Sequence, residues 1–114
     1  DSQYNQCIVN WYNDGKDFIP HHSDCTIGMI PDPKVSIISL YPNDDTYRSL
    51  SIKPKKRYGE YLDKDYNYDK ININMKQGSI ITMGGSSMHH AFTHGINKDT
   101  NEYSRISVSF RQML

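Results

Sequence analysis

The sequence predicts a mainly β protein whose core is a double-stranded β-helix, or jelly roll, of six to eight strands. Two observations predict this fold. Short runs of β-branched and aromatic residues recur with the period of two that strands require, and no stretch shows the apolar spacing of an amphipathic helix. Turn formers such as Pro42-Asn43-Asp44 and Lys76-Gln77-Gly78 separate the runs. Many short strands in one domain indicate a sandwich or barrel, and a jelly roll holds a small ligand between its sheets.

Each predicted strand is a short run rich in β-branched or aromatic residues. In chain order the runs are 7–12 (CIVNWY), 35–40 (VSIISL), 47–52 (YRSLSI), 71–75 (ININM), 79–83 (SIITM) and 105–110 (RISVSF). Residues 92–96 (FTHGI) also resemble a strand. Segment 53–70 is different, because it is dense in Lys, Tyr and Asp, and we expect a long surface loop there.

Length and charge restrict the possible functions. The chain has 114 residues with 13 basic and 13 acidic side chains, which predicts one small domain over residues 1–114. Balanced charge does not by itself indicate a nucleic-acid or membrane partner, so any such partner must be recognised by local patches. The apolar runs are too short for a transmembrane helix, and no signal peptide is evident. We therefore expect an intracellular monomer, cytoplasmic or nuclear, that binds no membrane.

The two cysteines are too few for a disulfide framework. We expect Cys7 and Cys25 to be buried free thiols in a reducing compartment. The chain opens on Asp1, within a few residues of strand-like sequence, which suggests that an upstream region is missing.

One pair of side chains has the spacing of metal ligands. His22 and Asp24 are two residues apart, so in extended backbone both project to one face, whereas His21 points away. His94 lies much later, in the run 92–96. Two histidines and a carboxylate form the facial triad of non-heme iron(II) oxygenases, which leaves positions for a cosubstrate and O2. Surface histidines that bind no metal are the alternative. The histidines without such a motif are His21, His89 and His90.

The C-terminal run indicates an anion-binding wall. Residues alternate along 105–111, so Arg105 and Arg111 share a face with two serines, opposite the apolar residues. A guanidinium binds a carboxylate through two parallel hydrogen bonds, and the dianion 2-oxoglutarate suits such a face. The two arginines are about 20 Å apart along the strand, so one would bind the distal carboxylate while the other acts nearer the metal. A solvated face with incidental arginines is the alternative.

Several short motifs follow one another along the chain. They are N-x-Y at 10–12, H-x-D at 22–24, S-I-I-S-L at 36–40, G-S-I-I-T-M at 78–83, F-T-H-G-I at 92–96 and an arginine pair ending in S-F-R at 105–111. Each motif alone is common, but the ordered set is specific. Between Asn5 and Arg111 it resembles the AlkB-like family of Fe(II)/2-oxoglutarate-dependent dioxygenases.

The resemblance implies a jelly-roll enzyme that oxidatively demethylates N-alkylated bases in DNA or RNA. It consumes O2 and 2-oxoglutarate and releases formaldehyde, succinate and CO2. The family's lid for substrate recognition precedes the region where this chain begins, so we expect residues 1–114 to be a catalytic core without that lid. The positions that match the iron ligands are His22, Asp24 and His94, and those that match the 2-oxoglutarate-binding residues are Asn10, Tyr12, Arg105 and Arg111, the last also counted as catalytic.

Basic residues concentrate in one stretch next to tyrosines. This combination suits phosphate contact with base stacking, so a single-stranded DNA or RNA partner is expected, and an ordinary solvated loop is the alternative. The residues predicted to contact substrate here are Arg48, Lys53, Lys55, Lys56 and Arg57.

Thr26 departs from the family pattern. Repair members of the family commonly carry a carboxylate two residues beyond the metal-binding aspartate, where it contacts the exocyclic amine of the base. Here that position is Thr26, which is the predicted substrate contact in its place. Two alternatives for function therefore stay open. One is a jelly-roll oxygenase that hydroxylates or demethylates a protein or small molecule, and the other is a non-catalytic module that binds metal or nucleic acid.

Overall fold

The computed structural model describes residues 3–54 and 71–114. Within these residues the chain forms eight strands and one short helix. In chain order the elements are β1 (Gln6–Tyr12), β2 (Ile19–His22), β3 (Lys34–Leu40), β4 (Arg48–Pro54), β5 (Ile71–Met75), β6 (Ile80–Gly84), α1 (Ser86–Ala91), β7 (Phe92–Ile96) and β8 (Arg105–Arg111). The prediction of a mainly β protein is confirmed.

The strands form two antiparallel sheets of four strands each. Their orders are β1-β8-β3-β6 and β2-β7-β4-β5, so most neighbours are distant in sequence. Both sheets contribute to one buried core, as in a β-sandwich. The first sheet contributes Tyr12, Val35 and Met83, and the second contributes Leu50, Met75 and Ile96.

All six predicted runs overlap strands, with identical bounds for 71–75 and bounds that differ by one or two residues for the others, and 92–96 is strand β7. Two elements were not predicted. Strand β2 has only four residues, which are too few to show a period of two. It also contains Pro20, a residue that is uncommon inside strands. Helix α1 has six residues, too few for a periodic apolar pattern, and follows Gly85, whose φ of 88° suits glycine.

Two further expectations require correction or fall outside the described residues. The expected loop 53–70 begins later than predicted, because Lys53 and Pro54 pair with β7 as the last residues of β4. Its remainder, 55–70, lies outside the described part of the chain. The expectation of buried thiols is wrong, because Cys7 and Cys25 are both free and exposed. Cys7 is on the outward face of β1, and Cys25 lies in the loop after β2.

The polar face of β8 is its buried face. Arg105, Ser107 and Ser109 are buried, whereas the apolar residues between them are only half-buried on the outside of the sheet. This inverts the usual pattern, in which apolar side chains face the core. The polar side chains of β8 therefore line the space between the sheets.

The described residues include no helix with the length and apolar character that crossing a membrane would require.

Candidate metal centre and anion pocket

A pocket that is partly open to solvent lies between the two sheets. Its wall combines apolar residues from the core with the polar face of β8. The predicted ligand-binding residues that line it are Asn10, Tyr12, His22, Asp24, His94, Arg105 and Arg111. The structure thus brings together seven residues that span the chain from β1 to β8.

The three predicted metal ligands meet at one end of this pocket. Oδ1 of Asp24 lies 3.4 Å from Nε2 of His22 and 3.5 Å from Nε2 of His94. One ligand atom from each residue lies within 4.8 Å of the other two. The Asp24 side chain is only 7% exposed, whereas that of His22 is 42% exposed, so the group is open on the His22 side. Such a group could hold a metal ion.

The surroundings of His22 leave its ligand nitrogen available. Nδ1 of His22 lies 2.9 Å from the carbonyl oxygen of Pro20. Because a carbonyl only accepts, the neutral imidazole carries its proton on Nδ1, and Nε2 retains the lone pair that a metal requires. A backbone hydrogen bond of this kind orients metal-binding histidines in other proteins.

Asp24 is positioned by a loop, since β2 ends at His22. Ser23 Oγ, between the two ligands, donates a 2.7 Å hydrogen bond to the carbonyl of Phe92 at the start of β7. This bond ties the loop to the strand that carries His94. Sequence reasoning missed Ser23, because the position between two ligands has no required residue type.

The electrostatic environment keeps Asp24 ionised. Burial raises the pKa of its carboxyl, but the hydrogen bond and charge of His94, with the charges of Arg111 and His22, outweigh this and lower the pKa to about 2. Asp24 is therefore an ionised carboxylate at neutral pH, the form that a metal ligand requires.

Arg105 lies deep in the pocket as a buried cation with incomplete hydrogen bonding. It is 1% exposed. Nη2 donates to Ser39 Oγ at 2.9 Å and lies 3.5 Å from Met75 Sδ, and the guanidinium stacks 4.9 Å from the Tyr12 ring centroid. Nη1 is buried without a hydrogen-bond partner among the described residues. A buried cation without a carboxylate partner is unfavourable, so an anionic ligand would complete this site.

Arg111 is the second cation of the wall. Its Nη2 lies 3.7 Å from Oδ2 of Asp24, and its Nε is buried without a partner in the described part of the chain. The two arginines therefore take different places in the pocket. Arg111 lies beside the candidate metal ligands, and Arg105 lies at the far end.

Strand pairing places the N-x-Y residues on the same wall. Asn10 is opposite Ser107 and Tyr12 is opposite Arg105 in the β1–β8 ladder. Burial raises the pKa of Tyr12, against the charge of Arg105, so its phenol stays protonated and can donate a hydrogen bond. Ser39 and Met75, which contact Arg105, were not predicted, because they approach it only through the pairing of β3 and β4 with their neighbours.

The prediction that Arg48 contacts substrate is wrong. Arg48 is 2% exposed, and its guanidinium donates hydrogen bonds to the carbonyls of Asp14, Asp17 and Asn97 at 3.3, 2.9 and 2.7 Å. It joins two loops, and those loops also bond to each other through Gly15 and Asn101. The side chain of Arg48 is therefore structural.

The other predicted substrate contacts lie outside the pocket wall or outside the described residues. Thr26 is half-buried, and its carbonyl accepts a 3.0 Å hydrogen bond from Met29 N in a turn after Asp24. Lys53 is exposed on β4. The remaining three, Lys55, Lys56 and Arg57, lie outside the described residues.

Two other histidines have hydrogen-bond partners away from the pocket. His21 Nε2 lies 2.9 Å from Ser51 Oγ, and His89 Nε2 lies 3.0 Å from the carbonyl of Pro33. His22, Asp24 and His94 are the candidate metal-binding group found in the described residues. A comparison of the chain with protein-family models found no match, and a comparison with curated proteins also found none.

Proposed function

We propose that this protein is a dioxygenase that depends on iron(II) and 2-oxoglutarate. One observation carries the proposal: a two-histidine, one-carboxylate group and a buried arginine with an unpaired Nη1 line the same pocket. The first is the ligand set of non-heme iron(II) oxygenases. The second is a site for the distal carboxylate of a dicarboxylic acid.

We also propose that the two sheets form a jelly roll. The ladders pair β1 with β8, β2 with β7, β3 with β6 and β4 with β5. This is the pairing of one long antiparallel hairpin, wound so that its successive pairs are divided between two sheets. A jelly roll is wound in this way and leaves room between its sheets, which supports the proposal.

The residues present fit a metal ion, because His22 Nε2 retains its lone pair and Asp24 is ionised. His22, Asp24 and His94 would hold the ion. Iron(II) with 2-oxoglutarate supplies oxidising chemistry, in which O2 and the keto acid are converted to succinate and CO2 while one oxygen atom goes to the substrate.

The chain's own residues would bind and orient the cosubstrate. Arg105 would pair with the distal carboxylate through Nη1, with Tyr12 donating from its protonated phenol. Arg111 would neutralise charge at the metal end, where it already lies 3.7 Å from Asp24. The amide of Asn10 and the hydroxyls of Ser107 and Ser109 would satisfy further oxygens along the wall.

For the substrate we propose an N-methylated base in single-stranded DNA or RNA. The support is the resemblance to the AlkB-like family. Insertion of one oxygen atom into the N-methyl C–H bond gives a hydroxymethyl group, which leaves as formaldehyde and returns the nitrogen to its N–H form. A protein or small-molecule substrate would use the same pocket.

Mass spectrometry of pooled methylated DNA, RNA and peptides, incubated with iron(II), 2-oxoglutarate and O2, tests the proposal. We expect stoichiometric succinate and a net loss of the mass of one CH2 from nucleic acid, as N–CH3 becomes N–H, and neither with His22→Ala. Demethylation of peptides alone would move the substrate to the protein class. Absence of succinate with every substrate pool would contradict the enzymatic function.

A further inference from the structure

The β2–β7 ladder that carries the two histidine ligands contains a bulge. Ile19 is opposite Ile96 and His22 is opposite His94, with the register shifted between these pairs. Between them β2 has two residues, Pro20 and His21, whereas β7 has one, Gly95. Two residues opposite one is the definition of a β-bulge, and bulges beside active sites re-aim side chains.

This bulge determines which of two adjacent histidines faces the pocket. In an unbroken antiparallel ladder, directly opposite residues share a face, so continuing the Ile19–Ile96 register would place His21 opposite His94. The extra residue instead places His22 there. His21 does not line the pocket, and its Nε2 lies 2.9 Å from Ser51 Oγ on β4.

Gly95 is the residue that makes room for the bulge. A Cβ at Gly95 would lie 2.8 Å from the carbonyl oxygen of Ile19, 3.0 Å from His21 N and 3.1 Å from His21 Cα. All three atoms belong to the backbone of β2, so no side-chain rotation relieves the contacts. Any residue other than glycine here would push β2 away from β7, which is the strand that carries His94.

We propose that Gly95, the bulge at Pro20 and His21, and the His21–Ser51 contact are positioning elements that select His22 over His21 as the metal ligand. Because the two neighbours have the same side chain, residue type cannot make this choice, and the strand register must. The inference rests on the proposed metal site and deepens it, since it assigns positioning roles to residues that do not touch the ion.

Cobalt(II) titration of the whole chain, followed by visible absorption, tests the inference without catalysis. We expect Gly95→Ala to weaken cobalt affinity by roughly 10- to 100-fold, the range for losing residues that orient metal ligands. Gly84→Ala is the matched control, because Gly84 is also a strand glycine and its added Cβ would meet only Lys34 side-chain atoms at 3.5 Å or more. Equal cobalt affinity in wild type and Gly95→Ala would overturn the inference and leave the metal site intact.

A second pair of variants decides the question if Gly95→Ala does not fold. His22→Ala is expected to lose cobalt binding, whereas His21→Ala is expected to keep the wild-type cobalt spectrum with a smaller loss of affinity. The inference would be overturned if His21→Ala lost cobalt binding as completely as His22→Ala. It would also be overturned if His21→Ala lost cobalt binding while His22→Ala kept it. Failure of the wild-type chain to bind cobalt would overturn the proposed metal site, and the inference with it.

Discussion

Nη2 of Arg111 lies 3.7 Å from Oδ2 of Asp24. This contact joins the arginine-bearing strand to the carboxylate that lies between the two candidate histidine ligands. The candidate metal-binding group and the arginine-bearing wall of the pocket are therefore parts of one site.

Asp24 should make the metal-free protein sensitive to acid. Its pKa is lowered from 3.8 to about 2 in the folded chain. A lowered folded-state pKa contributes stability above the unfolded value, and that contribution is lost as pH falls through about 4 towards 2. From this shift we expect a loss of roughly 2 kcal/mol in that window.

Urea unfolding of the metal-free chain at several pH values between 6 and 2 measures this effect. Asp24→Asn should lack this part of the pH dependence, whereas Asp44→Asn, at an exposed carboxyl, should retain it. Parallel curves for wild type and Asp24→Asn would show that the carboxylate is not stabilised as described.

Arg105→Met should separate ligand binding from stability. The substitution removes a buried cation that has no carboxylate partner in the described residues, so the ligand-free protein should be as stable as wild type or more stable. With cobalt bound, 2-oxoglutarate at 100 times its Kd should raise the free energy of unfolding of wild type by about 2.7 kcal/mol, and therefore its Tm. Arg105→Met should show no rise in Tm when 2-oxoglutarate is added. An equal rise in wild type and Arg105→Met would show that 2-oxoglutarate binds at another site.

Arg48→Met should destabilise the fold rather than weaken substrate binding. Three backbone carbonyls lose a charged donor, which is expected to reduce the free energy of unfolding by about 3 kcal/mol. Lys53→Met, at an exposed position of the same strand, is the control and should change stability by less than about 0.5 kcal/mol. A stable Arg48→Met protein with weaker nucleic-acid affinity would restore the interpretation of Arg48 as a substrate contact.

Lys53 is the exposed one of the two described basic residues predicted to contact substrate, since Arg48 is buried. It lies opposite Thr93 near the end of β4. If it contacts phosphate, Lys53→Ala should reduce the slope of log affinity against log salt for a single-stranded oligonucleotide by about one. Lys16→Ala, in the loop after β1, should leave the slope unchanged. An unchanged slope in Lys53→Ala would remove Lys53 from the interface.

The features that sequence predicted well depend on local backbone geometry. The period of two along β8 places Arg105 and Arg111 on one face, independently of the neighbouring strands. Both residues line the pocket in the structure. The same period identified six of the eight described strands. Four-residue β2 and the six-residue helix α1 were too short for a periodic signal.

The sequence by itself determined the residue types of the candidate ligands and their order along the chain, and alternation along β8 placed its two arginines on one face. Tertiary structure decided three other points. Arg48 stabilises the fold, because its guanidinium donates hydrogen bonds to backbone carbonyls of two loops. Asp24 lies beyond the end of β2, and the hydrogen bond from Ser23 to the Phe92 carbonyl holds its loop against the strand that carries His94. His22 rather than His21 faces the pocket because strand register depends on the partner strand, where Gly95 admits the bulge.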